Sequence, residues 1–376
     1  MAAQDRFSRQ FVTPEHFEQI GHRALQGPNG WLLFVACNAG IDFAETVRDE
    51  YEKMLRENGS SVDRIPMIGS RESPITTVFA DTETCPRLGT YAAGSNAYVF
   101  QSCHQPAGGN TVNENIQQLI QVVRTLRAHR AKTITVVTPY CPYSRQDKPT
   151  FMRREAVLAR LFADQLKIAG ADIHLCYHPH TYSLHGFYEP EMIFVALSGL
   201  ALLAEIFEEM MGQKDTVVVS TDAGGAKFTM HYADIMDINY AIANKFRTGK
   251  DKADILGVIG DLEGKKTAII TDDETVTGTS LLNAVRQLHE TYGIPEVRVA
   301  VSHMKMPEEF VPQLVEAHRS WGLKSMHITD TVPLVDAVRT LNFVHVHPIA
   351  RRFAATINHM HYDQSVSTLF RDHEKF

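Results

Sequence analysis

TAIITDDETVTGTS, residues 267–280, joins an apolar run to two acids, a hydroxyl-rich turn and the start of a helix pattern. Ala268, Ile269 and Ile270 read as a buried strand that stops at Asp272 and Asp273. Thr275 to Ser280 form a small-residue loop, and LLNAVRQLHETYG continues it with helical periodicity. Such a junction is a phosphate site with a physical basis. Gly278 permits close backbone approach, while successive N–H groups and a helix N-terminus attract an anion. The two carboxylates ahead of the loop can accept hydrogen bonds from vicinal hydroxyls or help hold Mg²⁺. Together they would grip a sugar phosphate at both ends. The competing reading is an Asp-rich turn whose Thr and Ser residues act as caps.

Working outward, apolar runs alternate with helix patterns along the chain: WLLFVACNAG at 31–40, AYVFQS at 97–102, TITVVTPY at 133–140 and IHLCYH at 173–178. The alternation restarts with TVVVSTDAGG at 216–225 and continues through EVRVAVSH, SMHITD and FVHVHP. This pattern predicts an α/β fold with parallel sheets and right-handed crossovers. A chain of 376 residues has room for two such domains. The expected organisation is a lead-in at 1–30, one domain at 31–193 and a second at 194–376 with a C-terminal tail. Ligands of such sheets bind beyond the carboxyl ends of strands, where most of the unusual residues lie.

Bulk composition narrows the partners. With 37 basic and 44 acidic residues the net charge is −7, so there is no basic field for nucleic acid or anionic lipid. No apolar stretch approaches membrane-spanning length, and the charged MAAQDRFSRQF lacks the apolar run of a signal peptide. Five scattered cysteines without CxxC spacing fit buried thiols in a reducing cytosol, so a cytoplasmic protein is expected.

Four further groups carry chemistry. In TPYCPYSRQDKP, Arg145, Gln146 and Asp147 offer a guanidinium fork, an amide and a carboxylate suited to a purine edge and a polyphosphate, or else a solvated loop with a local Arg–Asp pair. YHPHTYSLHGFY clusters His178, His180 and His185, for metal, for phosphate or as a polar turn. Asp222, at the end of TVVVSTDAGG, could hold Mg²⁺ or a ribose hydroxyl, and is otherwise an Asp-Gly turn. In NKFR, Lys245 and Arg247 project to one side of an extended segment and suit a transferring phosphoryl group, unless they are a solvated basic edge. GDLEGKK has one residue too few between its glycines for a nucleotide P-loop and reads as a turn.

The ordered set resembles the ribose-phosphate diphosphokinase, or phosphoribosyl-pyrophosphate (PRPP) synthetase, family over most of the chain. PYCPYSRQDK is similar to its ATP loop, STDAGG to its PDAGG segment, NKFR to its catalytic flexible loop, and FADTE at 79–83 to FSDGE. ITDTVPL and SVSTLF match its C-terminal signatures. The resemblance implies two phosphoribosyltransferase-like domains, arranged as a pseudo-repeat, and pyrophosphoryl transfer from ATP to the anomeric hydroxyl of ribose 5-phosphate, giving PRPP and AMP. It implies that Val276, Thr277, Gly278, Thr279 and Ser280 cradle the 5-phosphate and that Asp272 and Asp273 hold the ribose hydroxyls. By the same resemblance Asp222 and His180 serve Mg²⁺ and the nucleotide phosphates, Lys245 and Arg247 stabilise the transferring group, and Arg145, Gln146 and Asp147 bind ATP. Phe79 would stack on adenine, with Asp81 and Glu83 reading its amino group across a subunit interface of a dimer or hexamer.

The chain also departs from the family. His178 stands where a metal-associated Asp is usual, which predicts a higher Mg²⁺ requirement, restored by His178→Asp. Glu274 replaces a usual Met, and TVTGTS makes the loop partly like that of a phosphoribosyltransferase. Rival readings are a pyrophosphokinase acting on a larger ribose 5-phosphate ester such as ADP-ribose, a phosphoribosyltransferase, and a non-catalytic regulatory homologue.

Overall fold

The structure is a computed structural model and describes residues 25–62, 64–104, 109–246 and 255–369. Residues 1–24, Arg247 and Phe370 therefore lie outside the described residues, and of Lys245 only the backbone is described.

Two sheets of seven strands follow one another along the chain. The first contains β1 (Gln26–Gly27), β2 (Gly30–Ala36) and β3 (Met67–Ile68). A separate two-stranded ribbon, β4 (Thr76–Val78) and β5 (Thr84–Pro86), interrupts it. The sheet then resumes with β6 (Ser95–Phe100), β7 (Thr133–Thr138), β8 (Ile173–Tyr177) and β9 (Ile193–Leu197). From β2 the parallel strands run β2-β6-β7-β8-β9, and β3 pairs on the other side of β2.

The second sheet comprises β10 (Thr216–Ser220), β11 (Asn239–Phe246), β12 (Ile255–Ile259), β13 (Thr267–Thr275), β14 (Glu296–Met304), β15 (Leu323–Thr329) and β16 (Val344–His347). Its order is β12-β11-β10-β13-β14-β15-β16, parallel except for the β11/β12 pair. Strand order turns back between β10 and β13, as it does between β2 and β6 in the first sheet, so the pseudo-repeat is visible in the topology. That reversal is where ligands bind in open α/β sheets.

Helices cover both faces. On the first sheet α1 (Ile41–Glu57) lies on one side, and α2 (Val112–Ala128) and α3 (Leu158–Ala169) on the other. Thr111 and Glu114 form a full capping box that fixes where α2 begins. After β8 comes the single-turn α4 (His185–Tyr188). The second sheet is covered on one face by α5 (Leu200–Ile206) and α6 (Ala226–Met236), on the other by α7 (Thr279–Glu290) and α8 (Val311–Ser320). The short α9 (Asp336–Arg339) precedes β16. The last helix, α10 (Ala350–His361), returns to pack on α1, burying Phe353, Ala354 and Ile357 in the first sheet's core.

One expectation is corrected. The strand does not stop at the acids: β13 runs on to Thr275, with Asp272 opposite Val301 and Glu274 opposite His303 of β14. The acids stay in the ladder because each finds a partner from another element. Lys245 stands in an extended segment as its spacing suggests: β11 extends to Phe246, with Lys245 opposite Leu256 of the antiparallel β12.

Candidate active site

The reversal point of the second sheet carries three carboxylates. Asp222 follows β10 and is exposed; its Oδ1 accepts the Gly225 N–H at 3.0 Å. Asp272 is held from the same strand end, its Oδ2 accepting the Thr221 hydroxyl at 2.8 Å. Burial, reinforced by Asp273, drives the Asp272 carboxyl well above the ordinary carboxylate range. Burial would raise Asp273 as well, but the hydrogen bond and charge of His180 outweigh it and hold that carboxyl below the usual range. The neighbouring pair therefore titrates apart, one member favouring the anion and the other resisting it.

His180 comes from the first sheet, on the turn after β8. Its Nδ1 lies 2.9 Å from Asp273 Oδ2, and that bond raises the affinity of the imidazole for its proton. A protonated ring is a donor toward anions rather than a metal ligand. His178, two residues earlier, turns inward. Its ring is buried, its Nδ1 lies 2.5 Å from Ser302 Oγ, and it stacks on Phe228 at 4.4 Å. Burial lowers it to about 4, so it is a neutral packing group. The ring is thus packed between Phe228 and Ser302. His185 packs edge-on against Phe194, 5.0 Å between centroids.

Beyond β13 the chain turns through Val276, Thr277 and Gly278 into α7. Gly278 has φ +73° and starts the helix as its N-cap, a residue with no side chain to cap the turn, and the Thr279 N–H reaches Thr277 Oγ1 only at 3.5 Å. Thr279 and Ser280 are exposed on that turn, and Thr277 Oγ1 lies 3.1 Å from Thr279 Oγ1. The first N–H groups of α7 and three hydroxyls thus face one small loop, the donor set an anion needs.

The loop after β7 meets this strand from the other side. Arg145 Nη1 lies 3.0 Å from Glu274 Oε1 and does not pair with Asp147, whose carboxylate contacts Lys148 at 3.4 Å. Lys305, at the end of β14, donates to Glu274 Oε2 at 2.8 Å and to Tyr140 Oη at 3.0 Å. Gln146 is exposed, and its carbonyl accepts the Ala159 N–H at 3.3 Å. Sequence reasoning missed Thr221, Lys305 and Tyr140. The one available signal was a lysine placed directly after the apolar EVRVAVSHM.

Phe79, Asp81 and Glu83 form the exposed tip of the β4–β5 ribbon. Asp81 Oδ1 accepts the Glu83 N–H at 3.1 Å, and Phe79 is 43% exposed. Among the described residues no hydrogen bond or ion pair joins this tip to the carboxylate cluster or to Arg145. Among the described residues, too, no three metal-ligating side chains converge, and no helix is long and apolar enough to cross a membrane.

The chain is similar to known proteins along most of its length. Residues 35–170 match the family model described as the N-terminal domain of ribose phosphate pyrophosphokinase, and residues 198–321 match the phosphoribosyl transferase domain. The ribose-phosphate pyrophosphokinase of Caldanaerobacter subterraneus is 30% identical over 78% of this chain and 88% of its own. That of Clostridium acetobutylicum is 29% identical over the same shares, 78% and 88%. The crystal structure of phosphoribosylpyrophosphate synthetase from Mycobacterium smegmatis superposes with a TM-score of 0.72 at 28% identity, covering 88% of this chain and 98% of that one. The chain belongs to the ribose-phosphate pyrophosphokinase family and is an enzyme of that family.

Proposed function

We propose that this enzyme makes PRPP by moving the pyrophosphoryl group of ATP onto the anomeric hydroxyl of ribose 5-phosphate. A bond forms between O1 and the β-phosphorus, the bond from that phosphorus to the α-phosphate oxygen breaks, AMP leaves, and O1 loses its proton. The observation that carries the reading is the juxtaposition at one strand end of an acid pair, a glycine-capped hydroxyl-rich loop and an arginine-bearing loop from the other sheet. Such a transfer needs positioning and charge stabilisation more than covalent chemistry.

In this reading Asp272 and Asp273 take the ribose hydroxyls and residues 276–280 the 5-phosphate. Arg145, Gln146 and Asp147 take ATP, and Lys245 with Arg247 stabilises the transferring group. His180, held by Asp273, donates toward phosphate oxygens. Mg²⁺ fits the oxygen donors: Asp222 is exposed, with Oδ1 engaged only by Gly225 N–H, and this ion is usually held by one or two carboxylates plus substrate phosphates. When bound it would offset charge on the polyphosphate. The exposed Phe79 tip supports a homo-oligomer, a dimer or hexamer, in which adenine lies against a neighbour's ribbon. We place the enzyme in the cytoplasm, in keeping with five free cysteines, four of them buried.

The test is AMP release from ATP and Mg²⁺ with a panel of acceptors including ribose 5-phosphate and ADP-ribose. AMP formed in step with PRPP from ribose 5-phosphate is expected. AMP formed only with the larger ester, or no AMP with any acceptor, overturns the reading. Lys245→Ala should lower turnover while ATP binding persists; an unchanged rate removes Lys245 from catalysis.

A further inference from the structure

Glu274 is buried, and two cations reach it. Lys305 Nζ lies 2.8 Å from Oε2 and Arg145 Nη1 lies 3.0 Å from Oε1. Lys305 is itself buried, bonds to Tyr140 Oη at 3.0 Å and sits 4.1 Å above the Tyr140 ring. Glu274 and Lys305 belong to the second sheet, Tyr140 and Arg145 to the loop after β7 of the first. A buried carboxylate must be paired, and Lys305 alone would satisfy that need. Arg145 is a second cation, and 58% of its side chain remains exposed. The Arg145 contact is a charge pair without hydrogen-bond geometry at Glu274 Oε1, so the five N–H donors of the guanidinium fork stay available to an anion.

Glu274 also sits on the strand that leads, two residues later, into the phosphate loop. We infer that Glu274 is a positioning residue for the nucleotide: it fixes the Arg145 fork at the ATP polyphosphate and ties the ATP loop to the strand feeding the sugar-phosphate loop. Lys305 neutralises Glu274, so the carboxylate does not repel the incoming phosphates. The inference rests on the ATP-dependent reading above.

The experiment is calorimetric titration of the full chain with a non-hydrolysable ATP analogue and Mg²⁺, and separately with ribose 5-phosphate. Wild type, Glu274→Gln, Arg145→Ala and the double variant are compared. Holding a flexible side chain in place is worth enough to weaken analogue binding roughly 3- to 10-fold in Glu274→Gln, with ribose 5-phosphate affinity unchanged. In the Arg145→Ala background the same substitution should cost nothing further. An equal cost in both backgrounds, tighter analogue binding, or a loss confined to ribose 5-phosphate overturns the inference and leaves the activity reading standing. A wild-type chain that binds no analogue overturns both. Should an unpaired Lys305 unfold Glu274→Gln, Glu274→Gln/Lys305→Met restores a neutral interior and the same comparison is made.

Discussion

His180 and Asp273 hold each other across the junction of the two sheets, imidazole Nδ1 to carboxylate Oδ2 at 2.9 Å, though 93 residues separate them in sequence. Each shifts the other: the aspartate raises the histidine, and the histidine depresses the aspartate against the opposing effect of burial. A histidine raised on folding stabilises the fold below its unfolded value, about 6.5, and that contribution fades as pH climbs through the raised value. The proton resonances of His180 should therefore titrate above the ordinary histidine range in the wild type. In Asp273→Asn the midpoint should fall. An unmoved midpoint would show that the pair is not formed in solution.

Asp272 sits where a charge is disfavoured, because burial and Asp273 both push its carboxyl upward. A carboxyl raised on folding costs stability above its unfolded value. Asp272 accepts from both the Thr221 hydroxyl and the Asp273 N–H; Asp272→Asn keeps one oxygen for the Asp273 N–H, lets its NH2 donate to the Thr221 hydroxyl and removes that cost, so the variant should be more stable at neutral pH. It should at the same time bind ribose 5-phosphate roughly tenfold more weakly, through loss of one acceptor oxygen for the ribose hydroxyls. Thermal unfolding and sugar-phosphate titration of one preparation check both halves. A variant that is less stable would remove the strain assigned to this acid.

Gly278 adopts φ +73°, and a Cβ there would lie 2.4 Å from Met306 Cε. The methionine terminus can move aside, whereas the left-handed backbone costs a non-glycine residue roughly 1–2 kcal/mol. Gly278→Ala should weaken ribose 5-phosphate binding about tenfold and leave ATP-analogue binding unchanged. Adding Met306→Ala should not restore it, since φ and not the contact is the obstacle. Rescue by that second change would put the effect down to crowding.

Among the described residues four buried histidines, His174, His178, His303 and His361, make the fold sensitive to mild acid, each held down by burial. Burial holds His178 and His303 at about 4 and His174 at about 3. The unfolded chain binds their protons from about pH 6.5 downward while the folded chain resists, so stability falls as pH drops below that point. Each can contribute up to about 1.4 kcal/mol per pH unit. Melting temperature should decline between pH 6.5 and 5, before the ordinary carboxylates titrate and against the opposing effect of the raised Asp272; a flat profile there, in the wild type and in Asp272→Asn alike, rejects the assignment. His178→Asp, in place of restoring a metal site, should destabilise the chain by roughly 3 kcal/mol, because it buries a carboxylate against Phe228 and near Asp273.

What could be read from the chain alone was local. Apolar runs of strand length and the Gly278 turn announce parallel α/β units and a phosphate loop, because period and turn chemistry act over a few residues. The ordered motifs were enough to indicate the family. The acids were read as the end of a strand because polar residues ordinarily leave a buried ladder. Only the tertiary structure supplies Thr221, His180, Lys305 and Arg145 as partners that keep Asp272, Asp273 and Glu274 inside it. For the same reason the sequence offered His178 to a metal and Arg145 to Asp147, whereas packing of one sheet against the other turned the first inward and carried the second to Glu274. Pairings between residues far apart in the chain depend on how two sheets meet, and no local pattern encodes that meeting.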